Sequence, residues 1–180
     1  MTQRVILTRS RRPAYNLQNT VRCRLLRLLE EIGMQLFVKR FTELSLEELY
    51  DILQLRASVF VVEQNCPYLD PDGLDKKALH LFIKDDSGIK ACLRVMDRGA
   101  ESEYVSIGRV VAADRRKGYG TKILAEGIKA AREYFSADCI YLEAQTYAKG
   151  LYTKLGFREI SGEFLLDGIP HVKMLYEADE

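Results

Sequence analysis

The chain has 180 residues and a mass of 20.6 kDa, with 47% apolar and 29% charged positions, a size and balance suited to one globular domain that buries its own core. Intrinsic disorder and a disulfide scaffold fit this composition poorly, and no uninterrupted apolar run reaches the roughly 18 residues of a membrane-spanning helix. Lysine and arginine number 27 against 26 acids, a formal charge of +1, so no overall field draws the chain onto nucleic acid or anionic lipid, and a soluble, cytoplasmic protein with neither partner is expected.

That near-balance hides an asymmetry. Residues 1–33 hold seven arginines and two acids, a local +5, which leaves the remainder at −4. Within this leader Val21, Leu25, Leu28, Leu29 and Ile32 share one face of a weakly amphipathic helix. Three readings stay open for it: an extension ahead of a domain that starts at Met34, an organellar targeting segment, or a helix that docks on the domain. Four cysteines (23, 66, 92 and 139) form no CxxC or Cys/His cluster, so reduced thiols are expected and neither a redox pair nor a metal site.

From Met34 the pattern is orderly. Residues 35–41 (QLFVKRF) read as a first strand, and Ser45 followed by Glu48 is a capping box opening a helix through Arg56. Residues 59–62 (VFVV) are a compact apolar, strand-like run ending at Glu63, and residues 65–77 are a polar loop punctuated by Pro67, Pro71 and Gly73. Residues 79–84 and 90–96 read as an antiparallel pair about a turn at 85–88, and 105–112 (VSIGRVVA) as a central strand. A helix over 119–135, a strand over 139–144, a short helix over 148–155 and two strands, 158–164 and 171–176, turning at Asp167-Gly168, complete an α+β layout with a mixed sheet.

Two pieces carry chemistry. The first is the strand-turn-helix junction in which Arg115-Arg116-Lys117-Gly118-Tyr119-Gly120 opens the longest helix. Glycines there let N–H groups converge at a positive helix N-terminus, an anion cradle that three cations reinforce; a structural left-handed turn has the same look. GxxxxGK followed by Ser or Thr is absent, as are the third glycine and acidic ribose ligand of a dinucleotide fingerprint. The second piece is Tyr152-Thr-Lys-Leu-Gly156-Phe157. A phenol beside a reacting sulfur can donate a proton to a leaving thiolate; the alternative is a ring packed in place with its hydroxyl in water.

A strand, RxxGxG opening a helix, a second strand and a helix bearing YxxxGF resemble the motifs of the GNAT family of N-acetyltransferases, and the resemblance spans residues 35–176. LRASVFVVEQ at 55–64, Cys66-Pro67-Tyr68, Asp72-Gly73, His80-Leu81, Ile107-Gly108-Arg109-Val110 and Asp167-Gly168-Ile169-Pro170-His171 are similar to its ElaA-type branch. The resemblance implies a mixed, mostly antiparallel sheet flanked by helices, with a splayed central strand, in one acetyltransferase domain over 34–180. It implies acetyl-CoA as cosubstrate, its pantetheine arm along the main chain of Val110, Val111 and Ala112. The diphosphate then meets Arg115, Arg116, Lys117, Gly118, Tyr119, Gly120 and Thr121. Tyr152 matches the general acid, and Gln145 stands where the family often places an asparagine that contacts the cosubstrate. The span from Arg109 to Arg115 is shorter than the family pattern.

The reaction implied is direct attack of an amine on the thioester. A protonated amine must first lose its proton, and Glu63, His171 or an ordered water relay are the candidate bases. Burial at the end of an apolar run would raise Glu63 into a useful range, or it is a surface carboxylate; His171 titrates near neutrality unaided, or it is structural. His80 reads as packing. Asp70, Asp72 and Asp75 suit a cationic substrate or form a solvated acidic loop, and Cys66 is given no role. Two rival functions remain: a non-catalytic acyl-CoA sensor, and an acyl-homoserine lactone synthase, whose Arg-x-x-Val-Phe segment is matched by Arg56, Val59 and Phe60 but whose usual tryptophan is missing. The acceptor is a small-molecule or peptide amine; oligomeric state is open, a homodimer being one form.

Overall fold

A computed structural model describes residues 33–178, so the helix read at 21–32 and the readings of the leader lie outside the described residues. Strand β1 (Gln35–Arg40) leads through a short 3-10 turn to helix α1 (Leu46–Arg56), and the capping box forms as read. Ser45 Oγ accepts from Glu48 N–H at 3.1 Å while Glu48 Oε2 accepts from Ser45 N–H at 2.8 Å. The next segment departs from expectation. Ala57–Glu63 continues α1 as a π-helix rather than a strand, with Val59 and Phe60 half-buried and Val62 facing solvent.

Strands β2 (Leu79–Asp85), β3 (Gly88–Met96) and β4 (Val105–Ala112) follow, then helix α2 (Tyr119–Phe135), strand β5 (Cys139–Gln145) and short helix α3 (Lys149–Thr153). The strand expected over 158–164 breaks into β6 (Arg158–Glu159) and β7 (Phe164–Leu166), and β8 (Ile169–Glu177) closes the chain. The sheet runs β1-β2-β3-β4-β5-β8-β6, with β7 also on β8. Every pair is antiparallel except β4 with β5.

Both faces of the sheet centre are covered, so the period of two in β2 and β3 sorts side chains between two cores. Leu79, Leu81, Ile83, Ala91, Leu93 and Val95 pack beneath Ile123, Leu124 and Ala131 of α2. Phe82 and Cys92 point the other way, toward Ile52 of α1 and the apolar side of the π-helix. α2 approaches β3 closely at Gly127, where a Cβ would stand 2.7 Å from Leu93 Cδ2 and force that buried side chain to shift. Among the described residues no helix is long and apolar enough to cross a membrane.

β4 carries a bulge. Arg94 pairs with Gly108 and Cys92 with Val111, so Arg109 and Val110 together oppose one residue of β3, and Arg109 adopts φ +54°. Its guanidinium is clamped: Nε donates to Asp70 Oδ1 at 2.8 Å and Nη2 to Asp72 Oδ2 at 3.1 Å. Arg56, 1% exposed, donates to Asp70 at 2.9 Å and to Asp75 at 2.7 Å; Arg94, equally buried, reaches Asp72, Asp75 and Glu101. The three aspartates read as a cation-binding or solvated loop are thus the anionic half of an internal lattice, because arginines distant in sequence converge beneath the loop. Burial alone would raise the Asp72 carboxyl, but the bonds from Arg94 and the Leu74 N–H and the charges of Arg94 and Arg109 outweigh it and hold it at about 2. His80 packs as expected, its Nε2 2.9 Å from the Asp75 carbonyl, and burial pushes its pKa down.

Two outcomes follow from this lattice. Arg56→Ala removes one of the two arginines that hold each of the buried carboxylates Asp70 and Asp75, and is expected to cost about 3–5 kcal/mol, read as a melting-temperature fall of roughly 10 °C. Asp72 ionises near 2 when folded and near 4 when unfolded, so its stabilising contribution is complete above about pH 4 and disappears as pH falls toward 2. Denaturant titrations of Asp72→Asn are expected to show lower stability at neutral pH and a flatter loss across that acid window than the parent.

Candidate active site

Parallel pairing between β4 and β5 spans only Val105 with Ile140 and Ser106 with Tyr141. Beyond it Ile107 to Ala112 and Leu142 to Gln145 diverge, and the gap between them opens into a cavity of about 1060 Å³. The π-helix contributes Val59 and Phe60 to its wall, α3 contributes Leu151 and Tyr152, and the β7–β8 turn contributes Leu166, Asp167 and Ile169.

At one end lies the basic turn. Gly118 caps α2 at φ +79° and offers no side chain to the helix, so a left-handed residue and an open N-terminus coincide. The first backbone bond of α2 runs from Lys122 N–H to Gly118 O at 3.0 Å, which leaves the N–H groups of Tyr119, Gly120 and Thr121 without acceptors among the described residues. A Cβ on Gly120 would meet only Leu151 Cδ2, at an ordinary 3.5 Å, so packing does not demand glycine there, and the position lines the cavity. Arg115, Arg116 and Lys117 are exposed. Arg115 pairs with Glu63, whereas Arg116 and Lys117 have no acidic partner among the described residues.

Tyr152 stands on the cavity wall, 8% exposed, with its ring edge-on to Phe157 at 6.1 Å. Its hydroxyl makes no hydrogen bond among the described residues. Burial, with a smaller contribution from Tyr147, pushes its pKa above the ordinary tyrosine value, so the phenol keeps its proton throughout the neutral range. Phe157 is 2% exposed and packs against Tyr176 at 5.5 Å, so the last residue of YxxxGF anchors the helix that presents the first.

Val110, Val111, Ala112, Arg115, Arg116, Gly120, Gln145, Tyr152 and His171 of the sequence-derived site all line this one cavity. His171 is buried on β8 opposite Gln145, and its Nδ1 donates to the Ile169 carbonyl at 2.8 Å, which leaves Nε2 as the basic nitrogen of a neutral ring. Glu63 requires correction. It is not desolvated at the end of a buried strand; it closes the π-helix with its side chain 48% exposed, because that turn faces solvent, and it is held by Arg115. Gln145 exchanges hydrogen bonds with Gln64, at 2.9 and 3.0 Å. Sequence reading missed Tyr68, Glu101, Tyr141 and Glu143, which also line the cavity. Burial and then its bond to Glu143 raise Tyr141, while burial and the Asp70 charge push Tyr68 up to about 12, so both stay protonated donors. In the sequence Tyr141 and Glu143 were signalled only by the alternation along β5 and Tyr68 only as the aromatic in the 65–77 loop, while Glu101 left no signal.

Residues 68–178 match the family model described as an acetyltransferase (GNAT) domain. A UPF0039 protein of Schizosaccharomyces pombe is 38% identical over 149 residues, which cover 81% of this chain and 98% of that protein. The crystal structure of an acyl-CoA N-acyltransferase from Pseudomonas aeruginosa matches with a TM-score of 0.74 at 37% identity, covering 79% of this chain and 99% of that one. The crystal structure of Escherichia coli ElaA matches with a TM-score of 0.75 at 32% identity, covering 80% and 99%. With its interrupted β4–β5 pairing and its basic helix N-terminus, the chain belongs to the GNAT acetyltransferase family, in the ElaA-type branch.

Proposed function

We propose that the protein is an N-acetyltransferase that uses acetyl-CoA as cosubstrate and a small-molecule or peptide amine as acceptor. The observation that carries this reading is a single cavity with unpaired helix amides and cations at one end and a buried, unpartnered phenol on its wall. The residues present fit the cosubstrate. Three free N–H groups, a positive helix end and two unpartnered cations suit a diphosphate. The edge of β4 facing the gap is without a strand partner past Ser106, which suits the amides of a pantetheine arm. Three free cysteines among the described residues are in keeping with a reducing, cytosol-like compartment.

The thioester supplies an activated acetyl carbon. His171 accepts a proton from the acceptor's ammonium, directly or through water, and the amine lone pair then forms the C–N bond. The developing oxyanion is stabilised by a main-chain N–H of β4, whose edge toward the gap has no strand partner past Ser106. As the C–S bond breaks, Tyr152 gives its proton to sulfur; the second proton, shed by the nitrogen as it becomes the amide, restores the phenol, and the one held by His171 passes to solvent. A phenol made less acidic by burial is matched to this task, since the same poorly solvated surroundings raise the proton affinity of the leaving sulfur.

Thiol release from acetyl-CoA across a panel of amines tests the reading, and saturating coenzyme A is expected to raise the melting temperature. For Tyr152→Phe, kcat is expected to fall about 100-fold or more while coenzyme A affinity changes little. Unchanged turnover in that variant would remove Tyr152 as the acid; coenzyme A binding with no amine yielding thiol would favour the sensor reading.

A further inference from the structure

One carboxylate stands directly on the basic turn. Glu63, the last residue of the π-helix, pairs with Arg115, and the two side chains are 48% and 69% exposed. The residues just after it are tied to other walls of the same cavity. Gln64 holds Gln145 at the end of β5, and the Cys66 thiol donates to the Asp167 carbonyl in the β7–β8 turn at 3.5 Å. Residues 63–66 therefore form a strap joining three rims of the cavity, and its first tie occupies a cation at the mouth of the open helix N-terminus.

An exposed ion pair of this kind is worth little, because both partners are well solvated and two long side chains must be held in one geometry. A diphosphate carries more charge than a carboxylate and gains the free amides of Tyr119, Gly120 and Thr121 beside the same guanidinium. We propose that Glu63 is an internal competitor for the cosubstrate's diphosphate: it neutralises Arg115 in the free protein, and coenzyme A takes Arg115 over and releases this end of the strap. The proposal rests on the coenzyme A reading of the cavity. It makes Glu63 a positioning residue that tunes cosubstrate affinity through Arg115, in place of the base considered from the sequence.

Calorimetry of coenzyme A binding to the full chain, to Glu63→Gln, to Arg115→Gln and to the double variant tests it, with melting scans confirming that each is folded. Glu63→Gln is expected to bind about two- to fivefold more tightly than the parent, and this gain is expected to vanish in the Arg115→Gln background. Equal or weaker binding by Glu63→Gln overturns the proposal, and so does a gain of the same size without Arg115, which would make Glu63 a contributor to the general field only. A parent chain that binds while Glu63→Gln matches it refutes this proposal alone; a parent chain that gives no binding heat refutes the coenzyme A reading with it.

Discussion

Everything functional in this molecule depends on β4 and β5 staying apart after two residues of pairing. Parallel neighbours normally remain joined along their length, because each lost ladder bond leaves a backbone donor and acceptor to be satisfied elsewhere. Here the divergence begins at Ser106 and Tyr141, and the bulge at Arg109 bends β4 within three residues of it. The bulge is held from below. Arg109 is bound to Asp70 and Asp72, which are shared with Arg56 and Arg94, so a loop of poor regular structure is tied into the sheet by charge-assisted bonds. A cluster of this kind is a costly way to gain stability, since both signs of charge are taken out of water. Its effect is to fix a local geometry that apolar packing would leave freer.

The cavity made by the divergence has a chemically uneven lining. At the α2 end the backbone offers hydrogen-bond donors and the side chains offer positive charge; elsewhere Tyr68 and Tyr141 stay protonated, Glu143 accepts from Tyr141, and the charges of Asp72 and Glu101 are engaged by Arg94, with Arg109 also on Asp72. Tyr152 is buried on the cavity wall with no hydrogen-bond partner among the described residues, so its hydroxyl is free to meet a ligand. The aromatic trio Tyr152, Phe157 and Tyr176 fixes that phenol from the core side, which links the stability of the last strand to the placement of the acid.

Much of this was legible in the sequence because the signals are local. The capping box at Ser45, the alternation in β2 to β5 and the glycine-punctuated start of α2 each state their structure within a few residues, and Arg115 and Gly120 of RxxGxG meet Tyr152 of YxxxGF in one cavity. The failures were of the opposite kind. Four apolar residues at 59–62 do not distinguish a strand from a helical turn, and what decides is the continuation of α1 and the room beneath the sheet. The aspartates at 70, 72 and 75 looked free because their partners at 56, 94 and 109 come from α1, β3 and β4; ion pairs across such distances leave no periodic trace. The tie between Gln64 and Gln145, 81 residues apart, was illegible for the same reason.

Residue-resolved amide hydrogen exchange, with and without saturating coenzyme A, interrogates the divergence and the helix end together. The account predicts new protection at Val110, Ala112, Tyr119, Gly120 and Thr121, with the β1–β2 pairing far from the cavity unchanged. Saturable binding that leaves those amides exchanging at their free rates, or that protects a different surface, would contradict it.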